Sequence, residues 1–154
     1  MISVQPPKLE FLFTLTAEVG EITSLGHGPI GERRVIQITG GHFEGPQLRG
    51  DVMPGADWQI VRADGAIDLD ARYAIREDRG GIVRVISQGM RHGPPDVLAQ
   101  LARGEEVAAD RYFFRTIMRF ETGAAELAFL NKTIAVATAA RRARQVELQA
   151  WRLL

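Results

Sequence analysis

Carboxylates, phenols and guanidiniums gather in three short stretches of this chain, and between them they could move a proton on a small molecule. Asp57 sits beside Trp58. Asp70 and Arg72 alternate with Leu69, Ala71 and Tyr73. Tyr112 opens a run in which Arg115, Arg119 and Glu121 alternate with Phe114, Thr116, Met118 and Phe120. A carboxylate near a substrate carbon acts as a base, a tyrosine hydroxyl as an acid, and arginines stabilise the charge of a carboxylate, enolate or phenolate. Asp57, Asp70 and Tyr112 are therefore candidate catalytic groups. Trp58, Arg72, Tyr73, Arg115, Arg119 and Glu121 are candidate substrate-binding groups.

Each of these also has a purely architectural reading. Neighbours on a strand point to opposite faces, so only one of Asp57 and Trp58 can face an interior, and Asp57 could equally cap the turn after Pro54-Gly55. Asp70 and Arg72 share the face opposite Leu69, Ala71 and Tyr73, which is either solvated or the wall of a polar pocket. Arg115, Arg119 and Glu121 form either an internal ion-paired network or an outer ladder of salt bridges. Glu32-Arg33-Arg34 reads as a structural pair closing one end of the fold. His27, His42 and His92 all lie near glycines and read as exposed loop residues, although an imidazole titrating near neutrality suits His42 and His92 to acid-base work.

Other chemistries lack their signatures. The three histidines are scattered, with no His-x-His or HExxH spacing, so no metal site is expected. No Gly-x-Ser-x-Gly elbow surrounds Ser3, Ser24 or Ser87. The glycine-rich runs 26–31 and 40–45 do not open helices and lack the Lys-Ser/Thr ending of a phosphate loop. No cofactor is expected.

The elements that must position these groups are mostly strands. Runs at 11–19, 33–39, 48–53, 57–62, 67–76, 82–88, 111–121 and 132–138 are rich in branched and aromatic residues, and glycine or Asp-Gly turns separate many of them. One helix is expected from Pro94 to Gly104, with Leu98, Leu101 and Ala102 as its buried stripe. The segment from Ala139 to Leu148 is built of good helix formers, but 149–154 also alternates, and a closing strand is the chosen reading. Short strands at close spacing with one helix predict an all-β fold, an antiparallel barrel of eight to ten strands, because closure removes the exposed edges; a two-sheet sandwich is the alternative.

At 154 residues the chain fits one domain, 1–154. Its 19 basic and 19 acidic residues cancel, which disfavours nucleic acid and anionic membranes as partners. There are no cysteines, so disulfides and thiolate chemistry are excluded and a reducing compartment is compatible. No stretch resembles a signal peptide or approaches the ~20 apolar residues that span a bilayer, and a cytoplasmic location is expected. A homodimer is plausible from the exposed strand ends.

One succession of motifs is distinctive: Gly31-Glu32-Arg33-Arg34, then Ile38-Thr39-Gly40-Gly41-His42-Phe43-Glu44-Gly45-Pro46, Leu48-Arg49-Gly50 and Gly55-Ala56-Asp57-Trp58-Gln59. Further on come Leu69-Asp70-Ala71-Arg72-Tyr73, Gly89-Met90-Arg91-His92-Gly93, Tyr112-Phe113-Phe114-Arg115, Arg119-Phe120-Glu121-Thr122 and Leu130-Asn131-Lys132. This order resembles the domain-of-unknown-function 3237 family of bacteria and fungi, over nearly the whole chain. The resemblance implies a calycin-like β-barrel with a central cavity and implies no reaction. The run 137–144 is richer in alanine and arginine than the strand-turn-strand ending expected of that family.

Two functions suit such a barrel. One is an enzyme without metal or redox cofactor, an isomerase, cyclase or lyase acting on a small carbonyl or phenolic compound. The other is a non-catalytic barrel that binds an apolar or aromatic small molecule. Both make a small-molecule ligand the expected partner.

Overall fold

The computed structural model describes residues 1–154. Nine strands follow one another around a closed ring: β1 (Leu9–His27), β2 (Glu32–Glu44), β3 (Arg49–Val52), β4 (Gly55–Val61), β5 (Ile67–Glu77), β6 (Ile82–His92), β7 (Phe113–Thr122), β8 (Ile134–Arg141) and β9 (Gln145–Leu153). Every pairing is antiparallel, and β1 bonds to both β2 and β9, so no edge is left open. β3 and β4 lie end to end between β2 and β5, filling a single stave. The fold is an all-β barrel of nine strands, within the expected eight to ten. No helix is long and apolar enough to cross a membrane.

β1 serves two neighbours. Its first half pairs with β9 and its second half with β2, and irregularities near Glu18, Val19 and Ser24 bend it between them. Gly41 lies opposite Ala17 at this bend with φ of 133°, and a Cβ there would collide with the carbonyl of Thr16. Turn chemistry closes the hairpins elsewhere. Asp64 Oδ1 accepts the Ala66 N–H at 3.0 Å while Gly65 takes a positive φ.

Strand alternation sorts side chains in and out. On β5, Ile67, Leu69, Tyr73 and Ile75 are buried, and on β7, Phe114, Thr116, Met118 and Phe120 are buried. One end of the barrel is plugged: Phe13 meets Phe43 and Phe120 edge-on at 5.6 and 6.2 Å. Leu127 and Leu130, from a 3-10 segment over Ala125–Lys132 that the sequence reading missed, are buried in the same core. The opposite end is open. Small residues on the inner faces, among them Ala17, Ala71 and Ala139, leave room beneath it.

Helix α1 (Pro95–Ala102) lies at this open end, with proline in its first turn as expected. Val97 and Leu101 are its buried residues; Leu98 is only half-buried and Ala102 is exposed, which shifts the stripe from the expected Leu98, Leu101 and Ala102. The alanine-rich C-terminus forms β8 and β9 in spite of its helical propensity. Alternation lets Ala135, Ala137 and Ala139 face the core while ladder bonds to β7 and β9 satisfy the backbone.

Gly41→Ala should destabilise the barrel by about 1–3 kcal/mol, the usual range for a residue forced into an unfavourable backbone region. Chemical denaturation of the two proteins checks this.

Candidate functional site

Three arginines reach the open end of the barrel from three different strands. Arg34 continues the inward face of Ile36 and Ile38 on β2, Arg91 that of Val83, Val85 and Ser87 on β6, and Arg141 that of Ala135, Ala137 and Ala139 on β8. All three line a cavity of about 700 Å³ between the barrel rim, α1 and the β8–β9 turn, within the size range of small-molecule sites. Arg103 and Arg144 also line it, against Glu21 and Glu32 as the acidic groups, and Arg103 is already paired with Glu105 at 2.6 Å. A protein without net charge has thus concentrated positive charge at one mouth.

Arg91 is the most telling of the three. It is 7% exposed, has no salt-bridge or hydrogen-bond acceptor in the protein, and its guanidinium lies 5.5 Å from the centre of the Phe114 ring. Burial, then the like charges of Arg141 and Arg34, push its pKa down to about 10. Burial also lowers Arg34 and Arg141; the charge of Glu32 and then of Asp57 partly offsets this at Arg34, and that of Asp57 at Arg141.

Asp57 is the carboxylate among these cations. It faces inward on β4, opposite Ile36 and Ala71, and lines a second, smaller cavity of about 60 Å³ deeper in the barrel. Gln59 Nε2 donates to its Oδ2 at 2.8 Å and the Asp70 backbone N–H donates to its Oδ1 at 3.2 Å. Gln59 is itself 1% exposed and accepts from Arg34 at 2.8 Å, so a fixed chain runs Arg34, Gln59, Asp57. Part of Asp57 remains reachable from the cavity, yet desolvation outweighs these bonds and raises its pKa above the usual carboxylate value.

The residues singled out from sequence separate into two groups. Asp57, Tyr73 and Tyr112 point into the barrel. Tyr112 is buried near Arg91 and Arg141, and its hydroxyl accepts the Arg141 backbone N–H at 2.8 Å, leaving its proton free to donate. Trp58, Asp70, Arg72, Arg115, Arg119 and Glu121 lie on the outside. Trp58 is 43% exposed, Asp70 and Arg72 pair with each other at 3.2 Å on the surface, and Arg115 and Arg119 alternate outward from Phe114, Thr116 and Met118. The physical reason is parity: the apolar partner set on each strand takes the core, so the charged set is left to solvent. Hence Arg115 and Arg119 are not the cations facing Asp57.

Arg34, Arg91 and Arg141 take that place; sequence reasoning gave Arg34 a structural role at one end of the fold and did not single out Arg91 or Arg141 as site residues. Each has the same parity as the apolar residues of its own strand, which is the signal that could have found it. The histidines stand apart: His27 and His42 are exposed on strands, and exposed His92 stacks on Phe113 at 4.6 Å. No group of three or more His, Cys, Asp or Glu is placed to hold a metal ion.

The fold and this mouth define a closed β-barrel with a cationic, carboxylate-bearing cavity. Residues 7–153 match the family model described as a protein of unknown function, DUF3237, and the chain belongs to that family. It is 42% identical over 151 residues to a UPF0311 protein of Rhodopseudomonas palustris, covering 96% of this chain and 99% of that one. The crystal structure of that bacterium's conserved protein of unknown function superposes with a TM-score of 0.92 at 39% identity, over 99% of this chain and all of the other. A β-barrel-like protein from Acinetobacter baumannii gives 0.87 at 37% identity over the full length of both chains. A hydroalkoxylation enzyme of Penicillium herquei is 32% identical over 80 residues, 52% of this chain and 54% of its own.

The raised pKa of Asp57 has a definite consequence for stability. Below the unfolded value of about 3.9 the group is neutral in both states and contributes no difference. Between that value and the higher folded one, the unfolded chain is ionised while the buried carboxyl keeps its proton, so folded stability falls with rising pH relative to a chain with no such group, and the loss is complete above the folded value. The melting temperature of Asp57→Asn minus that of the parent should therefore increase between about pH 4 and pH 8. Thermal melts across that range check the sign.

Proposed function

We propose that the open end of the barrel binds a small organic anion and that Asp57 transfers a proton to or from it. The observation that carries this reading is the unpaired, buried Arg91 guanidinium, flanked by Arg34 and Arg141 with a desolvated carboxyl beside them. An unpaired buried cation is costly to a fold, and one flanked by two more half-buried guanidiniums is best explained by an anionic ligand.

The chemistry that fits is proton transfer next to a carbonyl or phenol: isomerisation, cyclisation or elimination. In its neutral form Asp57 delivers a proton, and in its ionised form it removes one. A raised pKa brings the two forms closer in energy at working pH. Arg34 orients Asp57 through Gln59. Arg91 and Arg141 hold the anionic group of the ligand and, as fixed positive charges near Asp57, lower the cost of the further negative charge that develops when a proton is removed. Tyr112 holds the Arg141 backbone in place and offers a second proton. The hydroalkoxylation activity of the Penicillium relative supports the class of reaction, since adding an alcohol O–H bond across a carbon-carbon double bond also requires proton transfer without net oxidation.

Removing the cation separates binding from folding. Arg91→Gln should raise the melting temperature of the free protein, because it deletes an unpaired buried charge. It should also weaken the binding of carboxylates such as phenylpyruvate at least tenfold, about 1.4 kcal/mol, by calorimetry. Asp57→Asn should keep that binding but slow deuterium exchange next to the carbonyl of the bound keto acid by about 100-fold or more, followed by NMR. Exchange that persists in Asp57→Asn would assign the proton to another group. Binding without exchange in the parent would make the protein a carrier.

A further inference from the structure

Two hydroxyls in the smaller cavity take no part in the reading above. Tyr73 on β5 and Thr116 on β7 are 8% and 7% exposed, and neither the phenol oxygen nor Oγ1 has a hydrogen-bond partner in the protein. Both line the 60 Å³ cavity that Asp57 also lines, and the rest of its wall is mostly apolar, including Leu15, Leu69 and Phe114. Buried hydroxyls in native proteins almost always have partners. Two that share a cavity therefore point to an oxygen-bearing group that they recognise together.

We propose that this inner cavity is a subsite for a carbonyl or hydroxyl oxygen at the end of a short apolar arm, received by the Tyr73 and Thr116 hydroxyls. The inference rests on the anion-binding reading of the mouth and names the ligand class: a short oxo or hydroxy acid with its carboxylate among the arginines. Val19 belongs to the walls of both cavities, so the two adjoin. Asp57 lines the inner cavity and interacts electrostatically with Arg91 and Arg141, which places it between the two ends of such a ligand. The volume admits a few heavy atoms, an acyl end and not a ring system. Burial, and then the charge of Asp57, raise the Tyr73 pKa, so the phenol keeps its proton and acts as donor.

The test uses the full chain and matched probes: levulinate and its next two homologues against the plain fatty acids of equal length, with affinities from calorimetry. At least one keto acid should bind about tenfold more tightly than its plain partner, the discrimination of one well-made buried hydrogen bond. Tyr73→Phe and Thr116→Val each remove one of the two hydroxyls, and melting curves establish that the variants are folded. In at least one of them the preference should collapse to within about twofold, with plain-acid affinity unchanged. Equal binding of keto and plain acids at every length, with both weakened by Arg91→Gln, would overturn the inner subsite and leave the anionic mouth standing. A keto preference that survives both variants would overturn the assignment to these hydroxyls. If no acid of either kind binds, the mouth reading falls and takes the subsite with it.

Discussion

The seam between β1 and β9 is what creates an interior at all. Leu9 through Glu18 pair with Gln145 through Leu153, joining the first strand of the chain to the last. With that ladder made, every strand has two neighbours, and the alternation of each strand becomes a division between an enclosed face and a solvated one. Without it the same residues would line two faces of an open, twisted sheet. Arg34, Arg91 and Arg141, drawn from β2, β6 and β8, meet because the ring brings those staves around a common axis.

The two ends of this ring are treated differently by the residues that fill it. Phe13, Phe43 and Phe120 close one end with aromatic edges, while Ala17, Ala71 and Ala139 leave the other end hollow. The plugged end is packed with aromatic side chains, and the open end bears the electrostatic cost of desolvated charge. The buried Arg91 guanidinium with its lowered pKa and the Asp57 carboxyl with a raised one are each a tax on folding that a better-packed apolar core would avoid. Polar groups arranged this way in an enclosed cavity are a signature of function more than of architecture.

Orientation within the cavity follows from hydrogen bonds that leave little freedom. Gln59 is nearly inaccessible and joins Arg34 to Asp57, so the carboxyl cannot swing away from the cluster. Tyr112 anchors the backbone of Arg141 near the end of β8. Fixed dipoles and charges of this kind act without reorganising when charge develops on a ligand, which is where an enclosed polar site gains over water.

Much of this was legible in the chain itself. Alternating branched and aromatic residues, Asp-Gly and Gly-Gly turns and the succession of motifs determined an antiparallel barrel, a single helix near Pro95 and the inward competition between Asp57 and Trp58. Period-two spacing divides residues into two sets but does not say which set faces inward, and that is where Arg115, Arg119, Asp70 and Arg72 were weighed as pocket groups although they face solvent. Closure and packing decided the sign of each face, because burying Phe114, Met118 and Phe120 costs less than burying the arginines between them. The same closure joined Arg34, Arg91 and Arg141 across more than a hundred residues of chain, a proximity that local spacing cannot encode. The strand character of 134–153 was likewise settled by pairing with β7 and β1, which outweighed the helical propensity of its alanines.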